Sequence, residues 1–333
     1  MKRLLSILFL APLVAVAADD TAYPTFGKIE RLDPRLDKLI PPSAKLEKLA
    51  EGFNWSEGPV WKDGGLLFSD VPENVIFRWE PSQAKPSHFL KPSGGMESSP
   101  EFREPGSNGL ALDSEGRLLI CQHGMRRVAR LEADGKETAI ADRFDGKRFN
   151  SPNDLAVRKN GDIYFTDPPY GLADLDKSPL KELPYNGVFR VTKEGKVSLL
   201  IKDLNYPNGI AFSPDEKRLY VAVSDGAKPR IMAYDIQQDG TIANGGVFFD
   251  AESVKGKDRK GSCDGLKVDS AGNVFSSGPG GILIISPEGH HLGTIMTGEA
   301  TANCGWGDDG STLYITADMF LARIKTATKG TGF

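Results

Sequence analysis

Four residues of this chain carry side-chain oxygens at the same place in a recurring string: Glu57 in SEGPVW, Asn153 in SPNDLAV, Asn208 in YPNGIAF and Asp264 in CDGLKV. Each stands just ahead of an alternating apolar stretch, where an apolar side chain would serve packing better. Two carboxylates and two amides brought to one point present only oxygen donors. That donor set suits a hard divalent cation, calcium above all, with magnesium, manganese or zinc as alternatives. The plainer account is that Asn or Asp before Gly makes a turn, as such pairs commonly do. It serves for any one of the four positions more easily than for all of them.

Bringing such distant residues together requires a ring. The unit is a polar anchor, a short strand, a Gly- or Asp-bearing turn and a second strand. It recurs as SEGPVWKDGGLLFSD, SNGLALDSEGRLLICQH, SPNDLAVRKNGDIYFTD, YPNGIAFSPDEKRLYVAVSD, SCDGLKVDSAGNVFSSG and TANCGWGDDGSTLYITAD. The anchors Glu57, Asn108, Asn153, Asn208, Asp264 and Asn303 are spaced by 51, 45, 55, 56 and 39 residues, about one four-stranded unit each. This predicts an all-β fold, a six-bladed β-propeller of four-stranded blades. Third strands follow at VIFRWEP, RRVARLEADG, GVFRVTKEG, RIMAYDIQQDG, GILIISPEG and FLARIKT, and the last unit stops there. Its missing outer strand can come from KLEKLAEGF, residues 45 to 53, which would close the ring. Residues 45–333 then form one propeller domain, preceded by an extension over 18–44. The first strand of each blade lines the central channel, so its anchor points at the axis. The loops joining second to third strands border the same face.

The chain opens MKRLLSILFLAPLVAVAADD, with basic Lys2 and Arg3, an apolar run from Leu4 to Val14 and the small-residue site Ala15-Val16-Ala17. That pattern predicts a signal peptide over residues 1–17 and export to the periplasm or the medium. The apolar run is too short to span a bilayer and Pro12 interrupts it. Losing Lys2 and Arg3 from 41 basic residues against 45 acidic ones would move the net charge from −4 to −6. Nucleic acid and anionic membranes are therefore poor partners for the mature form. Cys121, Cys263 and Cys304 are too few and too scattered for a disulfide framework or a structural zinc site, and read as small buried side chains.

The strings SEGPVW, QHGMRRV, KRFNSPNDLAV, IYFTDPPYGL, YPNGIAFSPDEKRLYV and CDGLKVDSAGNV together resemble the gluconolactonase/senescence-marker-protein (regucalcin-like) family of calcium-dependent six-bladed propellers. HGMRRV and FTDPPYG look like its bacterial gluconolactonase branch in particular. The resemblance runs from about Glu51 to Ile324. It implies a lactonase in which Glu57, Asn153, Asn208 and Asp264 bind the catalytic metal, and a small-molecule lactone as substrate. Attack of water on the lactone carbonyl creates an oxyanion, which a cation partly held by neutral amides can stabilise. Asp264 is the first choice of general base and His123 the second. Asn108, Arg126, Asp167, Tyr170 and Asn303 fall at strand starts or second-to-third strand loops, where they could bind sugar hydroxyls. An apolar lactone would instead want Trp306, Met319 or Phe320 on the wall. The long stretch after Tyr170 reads equally as a lid over the site or as packing on the rim. Two other functions stay open: phosphotriester hydrolysis at the same metal, and a non-catalytic propeller in which calcium only holds the channel together.

Overall fold

Short alternating runs such as IYFTD and RLYVAV, rich in β-branched and aromatic residues, pair best as antiparallel strands buried on both faces. The structure, a computed structural model, describes residues 23–333 apart from Ala84, so the leader expected over residues 1–17 lies outside the described residues. Six antiparallel sheets follow one another around a ring. Their inner strands are Ser56–Lys62, Ser107–Leu112, Leu155–Val157, Pro207–Phe212, Leu266–Val268 and Asn303–Gly307, and we number blades one to six in that order. Six apolar clusters fill the gaps between neighbouring blades. The one between blades six and one, for example, joins Tyr314 and Leu321 to Leu66, Phe68 and Trp79.

Blade six is completed from the far end of the chain: Leu46–Glu51 pairs with Phe320–Lys325 as its outer strand. Two blades differ from the four-stranded expectation. Thr25–Phe26 adds a fifth strand to blade six, and Lys28–Arg31 adds one to blade five by pairing with His291–Met296. Strands this short, with sequences TF and KIER, carry no periodic signal. They form because two neighbouring sheet edges would otherwise be left unpaired.

The inner ring is tighter than a set of turns. The Gly58 Cα lies so close to blade two that a Cβ there would fall 2.2 Å from the Asn108 carbonyl oxygen, and one on Gly209 would fall 2.3 Å from that of Asp264. The Gly109, Gly209 and Gly265 amides donate to the carbonyls of Asn153, Asp264 and Ala302 at 2.7, 3.0 and 2.7 Å. The Gly after an anchor is thus a point of backbone contact between blades rather than a turn-former. Second-strand hydroxyls brace the same ring: Ser69 Oγ donates to the Asn108 carbonyl at 2.8 Å, and Thr166 Oγ1 to that of Asn208 at 2.7 Å. In blade three the residue after the anchor is Asp154, and its side chain projects toward the channel instead.

Candidate active site at the channel mouth

The anchors are aimed by the start of each inner strand. In blades one, two and four the pairing register slips just after the anchor, between Glu57 and Val60, Ser107 and Leu110, and Pro207 and Ile210. In blades three and five regular pairing begins only after it, at Leu155 and Leu266. Either device frees the anchor side chain from the sheet plane. The result is a cavity of about 350 Å³ at one mouth of the channel, walled by Glu57, Asn153, Asn208 and Asp264 together with Asn108 and Tyr170.

Glu57 is buried, and its Oε2 accepts from the Gly58 amide at 2.8 Å and from Asn303 Nδ2 at 3.0 Å. Burial nevertheless holds its carboxyl up at about 7, against the pull of those two hydrogen bonds. Asn208 Nδ2 donates to Ser224 Oγ at 3.0 Å. The Asp264 carboxyl is pushed well above the usual range by burial first, then by the nearby charges of Glu57, Asp154 and Glu104. Asn108 Oδ1, Asn153 Oδ1 and Asp264 Oδ1 are buried with no hydrogen-bond partner. Three such oxygens on one wall are available to a further group or to water. Among the described residues no three His, Cys, Asp or Glu side chains cluster as a metal cage. The donors here are two carboxylates and neutral amides, a set that fits a hard cation and leaves coordination positions for other ligands.

Below this ring, Asp154 faces Lys267. The Lys267 Nζ lies 3.9 Å from Asp154 Oδ2 and 3.4 Å from Asn303 Oδ1. Burial raises the Asp154 carboxyl and the ammonium opposes that shift. The channel thus carries its own fixed cation beneath the mouth.

The remaining residues anticipated near a substrate lie one layer back. His123 is fully buried; its Nδ1 donates to the Glu104 carbonyl at 3.1 Å, and burial lowers its pKa to about 4. Arg126 turns under blade three, where Nε donates to the Phe149 carbonyl at 2.7 Å and Nη1 sits 3.6 Å from Glu182. Asp167 Oδ2 accepts from the Asn150 amide at 2.7 Å, and burial holds this carboxyl at about 7. Asn303 supports Glu57 from behind. Of the apolar candidates, Trp306 and Phe320 are buried in the core between blades five and six, and Met319 is exposed but does not line the cavity. The three cysteines are free and buried, with burial raising the Cys263 and Cys304 thiols to about 12.

Sequence reasoning missed Trp55, Arg103, Glu104, Ser224 and Ser262, all on the cavity wall. They sit on connections between strands, which carry no periodicity. One signal existed: the connections leading into inner strands end at the same face as the anchors. The stretch after Tyr170 has two roles. Its start forms a wall, with the Tyr170 ring stacked 5.5 Å from Tyr206 and the Arg103 guanidinium 5.9 Å from its centroid. It is pinned there by Ser151, whose Oγ donates to the Pro168 carbonyl at 2.6 Å and accepts from the Gly171 amide at 2.9 Å. The rest packs on the rim of blades two and three, where Leu183 joins their shared apolar cluster and Glu182 accepts from the Arg148 amide at 2.8 Å.

Comparison with known proteins agrees in fold and extent. The family profile of the SMP-30/Gluconolactonase/LRE-like region matches residues 55–318. The gluconolactonase of Zymomonas mobilis is 43% identical over 314 residues, which cover 92% of this chain and 88% of that protein. The pentonolactonase XacC of Haloferax volcanii is 25% identical over 78% of this chain and 80% of its own. A solved gluconolactonase from Xanthomonas campestris superposes with a TM-score of 0.77 at 30% identity, covering 91% of this chain and 97% of that one.

Proposed function

The chain belongs to the SMP-30/gluconolactonase/LRE-like family and is a lactonase, and from that premise we propose that it opens sugar lactones with a divalent cation held by Glu57, Asn153, Asn208 and Asp264. The observation that carries this is the convergence of partnerless buried oxygens, on Asn153 and Asp264, with the Glu57 carboxylate in one cavity. Calcium is the proposed ion because every donor is oxygen. When bound, the cation supplies positive charge to the lactone carbonyl oxygen as it becomes an oxyanion.

The chain's own residues do the rest. Asp264 takes a proton from the attacking water, as a carboxylate beside the cation can while that cation holds the reacting group. The same proton returns to the ring oxygen as the C–O bond breaks, so water adds across the ester and a hydroxy acid leaves. His123, buried behind Glu104 and holding its proton weakly, is better placed to fix that wall than to exchange protons with substrate. Tyr170 and Asn108 face the substrate's hydroxyls, and Asn303 orients Glu57.

The cavity's size, and its amides and carboxylates set beside the Trp55 and Tyr170 rings, suit a sugar ring, which presents both hydroxyls and an apolar face. Five- or six-carbon aldonolactones are expected to be hydrolysed with kcat/KM at least about tenfold above that for a long-chain acyl lactone. A clear preference for the acyl lactone would refute the substrate class while leaving the metal site standing. The leader pattern over residues 1–17 further supports export. N-terminal sequencing of the mature protein should begin at Ala18, and an intact Met1 on active cytosolic protein would contradict it.

A further inference from the structure

Arg103 and Glu104 sit side by side on the cavity wall and are ion-paired to each other. Their backbone is held as a ledge across two blades. The Arg103 amide donates to the Gly171 carbonyl at 3.0 Å, and the Glu104 carbonyl accepts from His123. The Glu104 side chain is 15% exposed and the Arg103 side chain 50%, so the guanidinium reaches the open side while the carboxylate closes it from within. Among the described residues that line the cavity, Arg103 is the one cationic side chain.

Charge at this mouth then pairs off without remainder. Glu57 and Asp264 match a divalent cation, Asp154 faces Lys267, and Glu104 faces Arg103. We propose that Glu104 is a specificity residue, which restricts the cavity to uncharged lactones by holding Arg103 in an internal ion pair. This rests on the lactonase proposal above and narrows its substrate. A lactone bearing a phosphate or carboxylate would need a free guanidinium, the side chain whose fork suits such groups best. Here one arm of that fork, Nη2, is held by Glu104, and the incoming anion also meets the carboxylate that holds it. Exclusion therefore works by repulsion as well as by a missing partner.

The test compares the calcium-loaded wild type with Glu104→Gln on gluconolactone and on its 6-phosphorylated form. Wild type should favour the neutral lactone. Glu104→Gln keeps the shape, releases Arg103, and should raise the phosphorylated-to-neutral ratio of kcat/KM by about tenfold or more, chiefly through KM. Adding Arg103→Gln to that variant should erase the gain. If the wild type hydrolyses both lactones equally well, or if Glu104→Gln weakens both alike with the ratio unmoved, the inference is overturned and the lactonase proposal survives. If the wild type acts on neither lactone, the lactonase proposal falls first.

Discussion

Asp264→Asn should lower kcat/KM on gluconolactone by about a hundredfold to ten-thousandfold, the range lost when a positioned general base is removed. The substitution is nearly isosteric and keeps an oxygen that can face the cavity. It takes away the proton acceptor and one of two formal charges on the ring of donors. The fold should be indifferent to it. Its backbone is braced by its amide donating to Ser277 Oγ at 3.0 Å and its carbonyl accepting from the Gly209 amide at 3.0 Å, neither of which involves the carboxylate. The lost charge is one that Glu57, Asp154 and Glu104 repel, so the metal-free variant should melt no lower than the wild type. Kinetics and a melting curve on the same preparation check both halves. Retention of full lactonase activity would remove Asp264 as the base.

The ring was legible because each blade repeats one grammar. An anchor before LAV or GLKV, a polar turn and a second alternating strand recur often enough that six blades follow from spacing alone, and the isolated KLEKLAEGF finds its place by elimination. The local chemistry was less legible. Asn-Gly and Asp-Gly look like turn pairs, yet Gly209 is small because a Cβ there would fall 2.3 Å from the Asp264 carbonyl oxygen. That contact joins residues far apart in sequence and leaves no mark on local periodicity. The strands at Thr25–Phe26 and Lys28–Arg31 were hidden for a related reason: edge pairing is specified by the backbone of the partner, not by side-chain alternation.

The same division separates the site residues. Glu57, Asn153, Asn208, Asp264 and Asn108 reach one cavity because a strand start in a propeller points toward the axis, and Asn303, the sixth anchor, lies behind Glu57 instead. Loop residues have no such constraint. Arg126 adopts a left-handed backbone conformation, φ 52°, and its guanidinium is taken up by the carbonyls of Phe149 and Asn150. Asp167 turns to the Asn150 amide in the same layer. Arg103 and Glu104 reach the cavity from an aperiodic connection whose course depends on its contacts with Gly171 and His123. No pattern within that connection distinguishes them from other surface charges.

Metal dependence is the central claim, and removal of the ion should have the largest effect of all. Stripped of divalent cations, the protein keeps two buried carboxylates at one mouth with partnerless oxygens around them. It should then lose the oxyanion's main stabilisation and nearly all lactonase activity. Saturating calcium, at about a hundred times its Kd, should add about 2.7 kcal/mol to the folded state, visible as a melting shift of several degrees independent of any assay of turnover. Glu57→Gln should demand at least about tenfold more calcium for the same shift, since it removes one of two formal donor charges. The decisive measurement is gluconolactone hydrolysis by chelated, metal-analysed protein during a calcium titration. Activity that is absent at the start and rises to a plateau with one ion per chain is the predicted result. Full activity in protein shown to hold no divalent cation would contradict the assignment of Glu57, Asn153, Asn208 and Asp264 as a catalytic metal site.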